Sequence, residues 1–89
     1  MNLKESFDKA VADSKAITKR PDNDTLLKLY SLYMQATKGN APDKGPSNPF
    51  DFIEKAKHNA WSSVKDKAAE AAMTEYIEIV AKLTGNLYL

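Results

Sequence analysis

Residues 26–34 read Leu-Leu-Lys-Leu-Tyr-Ser-Leu-Tyr-Met, and this stretch is apolar almost all round when it is wound as a helix. A helix that packs on one side only needs apolar residues at about a third of its positions. We therefore expect this helix to bury two faces, or to bury one face in the core and cover the other with a ligand. Asp22 is placed to cap its start, and Gly39 ends it.

Three further segments carry apolar residues at helical spacing. The first begins at Leu3, fades near residues 15–17 and must end before Pro21. The third follows a capping residue at Asp51, and the fourth follows a plausible cap at Asp66. The apolar positions expected on the third helix are Ile53, Ala56, Ala60, Trp61 and Val64.

The fourth segment is the most regular of the four, and Gly85 ends it. No segment alternates with period two for long enough to make a strand. The sequence therefore predicts an all-α four-helix bundle, built as a single domain over residues 1–89.

Residues 39–49 contain three of the four prolines and two of the three glycines, and they predict a long loop between the second and third helices. A connection of this length permits a crossover, so the helices need not run in a plain up-down-up-down order.

Composition excludes several classes of function. Thirteen Lys and Arg against twelve Asp and Glu leave a net charge of +1, which argues against a generally basic nucleic-acid-binding protein. The absence of cysteine excludes a disulfide framework, a zinc finger and a thiol nucleophile. The single histidine, His58, argues against a metal site or a catalytic triad built on histidine, and we expect it to be an ordinary surface residue.

No segment approaches the roughly 18 consecutive apolar residues of a membrane-spanning helix. The acidic N-terminal region lacks the apolar run of a signal peptide. We therefore expect a cytoplasmic protein with no stable membrane insertion.

Aromatic and cationic residues together form the one pattern that suggests binding chemistry. Tyr30 and Tyr33 project from one stripe of the second helix, Tyr76 comes from the fourth, and Lys57 from the third. A tyrosine can stack on a base and hydrogen-bond a phosphate, and a lysine supplies positive charge. The alternative is that these tyrosines only border the core while the lysines face solvent.

Three motifs resemble one known family. Residues 30–39, Tyr-Ser-Leu-Tyr-Met-Gln-Ala-Thr-Lys-Gly, resemble the Tyr-x-x-Tyr-Lys-Gln-Ala-Thr-x-Gly signature of the acyl-CoA-binding proteins. Residues 55–61, Lys-Ala-Lys-His-Asn-Ala-Trp, are similar to the family's Lys-Ala-Lys-x-x-Ala-Trp segment. Residues 72–77 match its Ala-Met-x-x-Tyr-Ile. The likeness runs from about Phe7 to Leu83, with the motifs in order.

The resemblance implies an up-down-down-up four-helix bundle that binds medium- and long-chain acyl-CoA esters without catalysis, as an intracellular buffer and carrier. It implies no cofactor apart from this fatty acyl-CoA ligand. By position, Tyr33 would stack on the adenine, while Tyr30 and Lys57 would contact the 3′-phosphate. The remaining residues that the resemblance places at the ligand are Lys15 and Tyr76 in the polar part and Phe7, Val11 and Leu27 along the acyl groove.

Two residues depart from the family pattern. Met34 stands where the signature has lysine, and Ile53 stands where many members carry lysine, so both remove positive charge from the expected phosphate side. Lys38 lies one helical turn after Met34, and we expect it to lean towards the phosphate and replace part of that charge.

Two other functions remain open. The doubly apolar second helix could bind an amphipathic peptide in a helical protein-interaction module. An enzyme of acyl-CoA metabolism is less favoured, because the sequence shows no evident nucleophile or general base. One chain of this size with an unbroken ligand groove leads us to expect a monomer.

Overall fold

The computed structural model describes residues 2–86, and within them the backbone forms helices and no strands. The helices are α1 (Leu3–Lys15), α2 (Asn23–Lys38), α3 (Phe52–Ser62) and α4 (Ala69–Thr84). The predicted all-α four-helix fold, with a long loop between the second and third helices, is confirmed. Met1 and residues 87–89, which the predicted domain includes, lie outside the described residues.

The ends of α2 and α3 follow the local sequence signals. The Asp22 carboxylate accepts a hydrogen bond from the Thr25 amide at 2.7 Å, and the Asp51 carboxylate accepts one from the Glu54 amide at 3.1 Å. Both predicted caps are therefore confirmed. Gly39 ends α2 with a φ of +81°, a value that favours glycine because it has no Cβ.

The core lies between α1, α2 and α4. α4 packs against both α1 and α2, and the deepest apolar side chains come from these three helices. The buried apolar residues within them are Phe7, Ala10, Leu29, Leu32, Ala72, Tyr76 and Val80.

Within residues 2–86, α3 packs against α2 and against no other helix. None of its residues is fully buried. Val64, which we expected on this helix, lies in the turn after Ser62 and is buried there. The inner face of α3 is thus only partly covered by the protein itself.

The predicted cap at Asp66 is wrong. α4 begins after Ala68, whose side chain makes no capping hydrogen bond. Asp66 instead lies in the preceding turn with a φ of +68°, and its amide donates to Asn40 Oδ1 at 2.7 Å. A long-range contact with the loop after α2 therefore takes the place of the local cap.

The loop that joins α2 to α3 is held by polar side chains. The Trp61 indole Nε1 donates to the Gly39 carbonyl at 2.8 Å, and His58 Nε2 lies 2.7 Å from the Pro42 carbonyl oxygen. Asn40 also accepts from Gln35 Nε2 at 2.8 Å. His58 is therefore a half-buried anchor of the loop and not the ordinary surface residue we expected.

None of the helices found within residues 2–86 is both long enough and apolar enough to span a bilayer.

Candidate functional site

Two adjoining pockets open on either side of α2, and both are lined by Leu26 and Tyr30. The apolar stretch at residues 26–34 explains this arrangement, because Leu32 faces the core while Leu26 and Tyr30 face the pockets. The expectation that α2 buries one face in the core and offers another elsewhere thus agrees with the geometry.

The α1–α4 pocket, as we call the first, has a volume of about 380 Å³. It lies between α1, α2 and α4 and is closed at one end by the linker before α2. Its lining residues are Val11, Ser14, Lys15, Ile17, Pro21, Leu26, Leu29, Tyr30, Tyr33 and Tyr76. Hydroxyl groups and one ammonium group therefore share this pocket with aliphatic side chains.

A hydrogen bond fixes the tyrosine that α4 contributes. The Tyr76 hydroxyl lies 2.9 Å from Ser14 Oγ, and Ser14 Oγ lies 2.7 Å from the Val11 carbonyl. Both bonds are satisfied together when Ser14 donates its only hydroxyl hydrogen to Val11 and accepts from Tyr76. The ring of Tyr76 is buried, so its hydroxyl is held at the pocket wall.

The α3 pocket, the second of the two, has a volume of about 490 Å³ and lies between α2, α3 and the linker before α2. Most of its wall is apolar, and its two charged side chains are both cationic. Its lining residues are Arg20, Asn23, Leu26, Leu27, Tyr30, Phe52, Ile53, Ala56 and Lys57.

Lys57 lines the α3 pocket beside Tyr30, which both pockets share. Its Nζ is 5.5 Å from the centre of the Tyr30 ring, within the range of a cation–π contact, and 3.5 Å from Glu54 Oε1. The Lys57 side chain is 39% exposed, so an anion in the pocket can reach its ammonium group. Tyr30 and Lys57 are thus brought together as the sequence predicts.

Phe7 is placed differently from our expectation. It is only 2% exposed and lines neither pocket. Its ring stacks near Tyr33 at 6.1 Å between centroids and meets the edge of Tyr76 at 5.2 Å. Periodicity identified the inward face of α1, but Phe7 is long enough to reach the core beneath the pocket, where it supports two of the pocket tyrosines.

Met34 and Lys38 also lie outside the lining of both pockets. Met34 is half-buried one turn after Tyr30, and Lys38 is exposed as the last residue of α2. The structure therefore brings together Val11, Lys15, Tyr30, Tyr33 and Tyr76 in one pocket. It places Leu27 and Lys57 with Tyr30 in the other.

Ile53 stands where many members of the family carry lysine, and the structure places it in a mostly apolar wall. It lines the α3 pocket beside Leu27 and Phe52, with Arg20 and Lys57 in the same wall. Its aliphatic side chain therefore extends an apolar surface.

Sequence reasoning missed several lining residues, notably Ser14, Arg20 and Phe52. Ser14 could have been found, because it follows Val11 by three residues and shares its helical stripe. Arg20 and Phe52 lie in the linker before α2 and at the first position of α3, where helical periodicity gives no signal. Within residues 2–86, no three His, Cys, Asp or Glu side chains group together as metal ligands would.

Comparison with known proteins places this architecture in a family. The family model described as Acyl CoA binding protein matches residues 4–80. An acyl-CoA-binding protein from Brassica napus is 41% identical over 83 residues, which is 93% of this chain and 89% of that protein.

Two further proteins extend the comparison. Enoyl-CoA delta isomerase 2 from Homo sapiens is 40% identical over 83 residues, covering 91% of this chain but only 20% of that protein. The crystal structure of Oryza sativa Acyl-CoA-Binding Protein 2 superposes with a TM-score of 0.85 at 33% identity, covering 94% of this chain and 92% of that one. The match spans most of the chain in both sequence and structure, and the chain belongs to the acyl-CoA-binding protein family.

Proposed function

We propose that this protein binds medium- and long-chain acyl-CoA esters without converting them, and that it buffers and carries them in the cytoplasm as a monomer. The observation that carries this proposal is the junction of the two pockets at Tyr30. Hydroxyl and ammonium groups line one pocket, and the other has a mostly apolar wall. An acyl-CoA ester combines a charged, aromatic head group with a long apolar tail, and both parts find matching surfaces here.

In this proposal the head group binds at the tyrosines. Tyr33 is 39% exposed, so the part of its ring that Phe7 does not cover can stack on the adenine. Tyr30 and Lys57 contact the 3′-phosphate through the phenol hydroxyl and the ammonium group. Lys15 and Tyr76 complete the polar part of the site. Charge-assisted hydrogen bonds of this kind orient the ligand. They also distinguish a head group that carries a 3′-phosphate from nucleotides that lack one.

The acyl chain is shielded by the aliphatic walls, with Val11 on one side of α2 and Leu27 on the other. Each buried methylene contributes about 0.8 kcal/mol before the cost of ordering the chain is subtracted. Sixteen carbons can therefore contribute on the order of 10 kcal/mol. The tail supplies most of the affinity, and the head group supplies the selectivity.

Met34 and Lys38 belong to the outer edge of the proposed site. Met34 lies one turn after Tyr30, so a charged side chain at this position would lie beside the phosphate-binding hydroxyl. Lys38 lies a further turn on and is exposed. We propose that Lys38 supplies a weaker, longer-range attraction in place of the lysine that the family signature has at Met34.

Binding without turnover is part of the proposal. The similarity to the human isomerase covers one fifth of that enzyme, so it carries no argument for catalysis by this chain. When the protein is incubated with acyl-CoA, free CoA should be released no faster than by hydrolysis of the ester in buffer alone. Release in proportion to protein concentration would overturn this part.

Calorimetric titration with palmitoyl-CoA tests the proposal directly. We expect saturable one-to-one binding, a thermal stabilisation by the ligand, and much weaker binding of free CoA. The control is an amphipathic helical peptide, which should neither bind nor displace the ester. No heat and no stabilisation far above micromolar ligand would refute the proposal, and binding of the peptide alone would favour a protein-interaction module.

A further inference from the structure

Three large apolar side chains project into solvent where the loop after α2 enters α3. Phe50 is 80% exposed, Phe52 is 72% exposed and Ile53 is 70% exposed. Within residues 2–86, no other large apolar side chain is more than 39% exposed. Single apolar residues are common on protein surfaces, whereas adjacent ones mark a surface that a partner covers. We call these three residues the apolar patch.

The turn before α3 holds the first residue of the apolar patch in place. Asn48 Oδ1 accepts a hydrogen bond from the Phe50 amide at 3.0 Å, and the Asn48 carbonyl accepts one from the Asp51 amide at 3.1 Å. The ring of Pro49 fixes the φ angle of the residue between them. Because the backbone that carries the Phe50 ring is already ordered, covering the ring costs little further conformational entropy.

Cationic side chains border the apolar patch on two sides. Arg20, in the linker before α2, lines the α3 pocket together with two of the patch residues. Lys55 lines a separate groove with Pro49, which directly precedes the patch. Within residues 2–86, neither Arg20 nor Lys55 belongs to an ion pair. Both charges are therefore available to a partner.

Two carboxylates lie in the same stretch of sequence, and both already have partners. Asp51 is half-buried, and its side chain accepts a hydrogen bond from the Glu54 amide at 3.1 Å. Glu54 Oε1 lies 3.5 Å from Lys57 Nζ. The unpaired charges beside the patch are thus positive, although the whole chain carries a net charge of only +1.

Exposed apolar side chains bordered by unpaired cations match the surface of an anionic lipid bilayer. The apolar groups enter the boundary between headgroups and acyl chains, while the cations stay among the anionic headgroups. We propose that the apolar patch docks this protein reversibly on anionic bilayers, with its helices outside the hydrocarbon layer. This contact needs no acyl-CoA and goes beyond the proposed function. Docking also brings the α3 pocket to the bilayer surface, because two patch residues line that pocket.

Sedimentation with sucrose-loaded vesicles tests the proposal on the full chain in the absence of acyl-CoA. Vesicles of phosphatidylcholine and phosphatidylglycerol in equal parts are compared with vesicles of phosphatidylcholine alone. Phe50→Ser removes a patch residue that lines neither the α1–α4 pocket nor the α3 pocket, and Phe50→Leu is its conservative counterpart. Lys55→Gln removes a bordering charge, and Lys28→Gln, at an exposed position of α2, is the matched control. Circular dichroism and thermal unfolding check the fold of each variant.

We expect the unaltered protein to bind the anionic vesicles more tightly than the phosphatidylcholine vesicles. Phe50→Ser should weaken binding to both about tenfold, because a phenyl ring is no longer buried, and Phe50→Leu should weaken it much less. Lys55→Gln should weaken binding to the anionic vesicles about fivefold, since one cation is lost from the surface that meets the headgroups. Lys28→Gln should leave binding unchanged.

Two results of the vesicle experiment would overturn the inference: no sedimentation of the unaltered protein, or equal sedimentation of the unaltered protein and Phe50→Ser. A dimer in analytical ultracentrifugation that Phe50→Ser abolishes, without any vesicle binding, would also overturn it and would assign the patch to a second copy of this chain. Failure of the proposed function would look different, because the unaltered protein would then sediment with the vesicles but bind no palmitoyl-CoA.

Discussion

The three helices α1, α2 and α4 and the single helix α3 are stabilised in different ways. The first three share the core around Leu32 and Val80. Among the helices of residues 2–86, α3 packs against α2 alone, and it contributes no fully buried residue. Polar contacts hold the region around α3 in place, chiefly Trp61 on the Gly39 carbonyl and His58 on the Pro42 carbonyl. The difference suggests a division of roles, in which one part of the fold supplies stability and the other leaves its apolar face to a ligand.

Truncation of apolar side chains should separate the two regions most clearly. Leu32 is fully buried, so Leu32→Ala should cost about 2–5 kcal/mol of unfolding free energy by losing burial and leaving a cavity. Ile53→Ala on α3 should change stability by no more than about 0.5 kcal/mol, because the side chain is exposed. Urea denaturation measures both. A comparable cost for the two variants would contradict the division.

The polar contacts around α3 can be tested at Asn40. Its side chain accepts from the Gln35 amide group and from the Asp66 amide, and donates to the Asp66 carboxylate at 3.0 Å. Asn40→Ala removes three hydrogen bonds, although Gln35 Nε2 keeps the Lys67 carbonyl as an acceptor, and should cost about 1 kcal/mol. Asn59→Ala, on the exposed face of α3, is the control and should cost little. If both variants unfold at the same urea concentration, the loop contacts do not hold this region.

Truncation of Lys57, inside the α3 pocket, and of Lys38, outside both pockets, tests where the phosphate of the ligand binds. Lys57→Ala should weaken binding of an acyl-CoA ester about tenfold, because a hydrogen bond to a charged group is lost. Lys38→Ala removes the same charge from outside both pockets and should weaken binding less. Titrations at low and high salt separate the two, since the exposed Lys38 is screened more strongly. A larger loss of affinity for Lys38→Ala than for Lys57→Ala would show that the phosphate binds away from Tyr30.

Met34→Lys tests the same region with a gain of affinity. A lysine one turn after Tyr30 should tighten binding by up to about tenfold. The gain should shrink as salt rises and vanish with a dephospho-CoA ester, which lacks the 3′-phosphate. An unchanged affinity for both esters would show that this face of α2 does not meet the phosphate.

The smallest effect is expected from pH at the start of α2. Hydrogen bonds from the Thr25 hydroxyl and then from the Thr25 amide lower the pKa of Asp22 below its ordinary value of 3.8. A pKa lowered by folding gives stability that is present above pH 3.8 and is lost as the pH falls through the folded-state value. Asp22→Asn keeps a capping oxygen but does not titrate, so its melting temperature should fall less than that of the unaltered protein below pH 4. If the melting temperatures of the two proteins fall equally below pH 4, Asp22 does not have this role.

Local signals in the sequence predicted most of the fold, and long-range contacts account for the errors. Asp22, Asp51 and Gly39 act on their own helix ends, so their roles could be predicted from neighbouring residues alone. Asp66 could not, because Asn40, 26 residues away, binds its amide. Its positive φ also removes it from a capping conformation.

For the site as well, the sequence identified residues that the fold brings together, but not how deeply each side chain is buried. Tyr30 and Lys57 were identified by their motifs, and the fold brings them together. Phe7 was assigned to the groove by the family resemblance, and neither a motif nor helical periodicity gives how deeply a side chain is buried. Phe52 was missed, because its place in the α3 pocket depends on how α3 packs on α2.

Hydrogen–deuterium exchange of the α3 amides, measured with and without saturating palmitoyl-CoA, tests the division of roles most directly. Without ligand, α3 should exchange faster than the centres of α2 and α4, because fewer buried contacts oppose its local opening. Palmitoyl-CoA should slow exchange most strongly in α3, since the ligand covers the face that the protein leaves open. Equal protection of α3 and α2 without ligand, or an equal slowing of all four helices with ligand, would contradict the account.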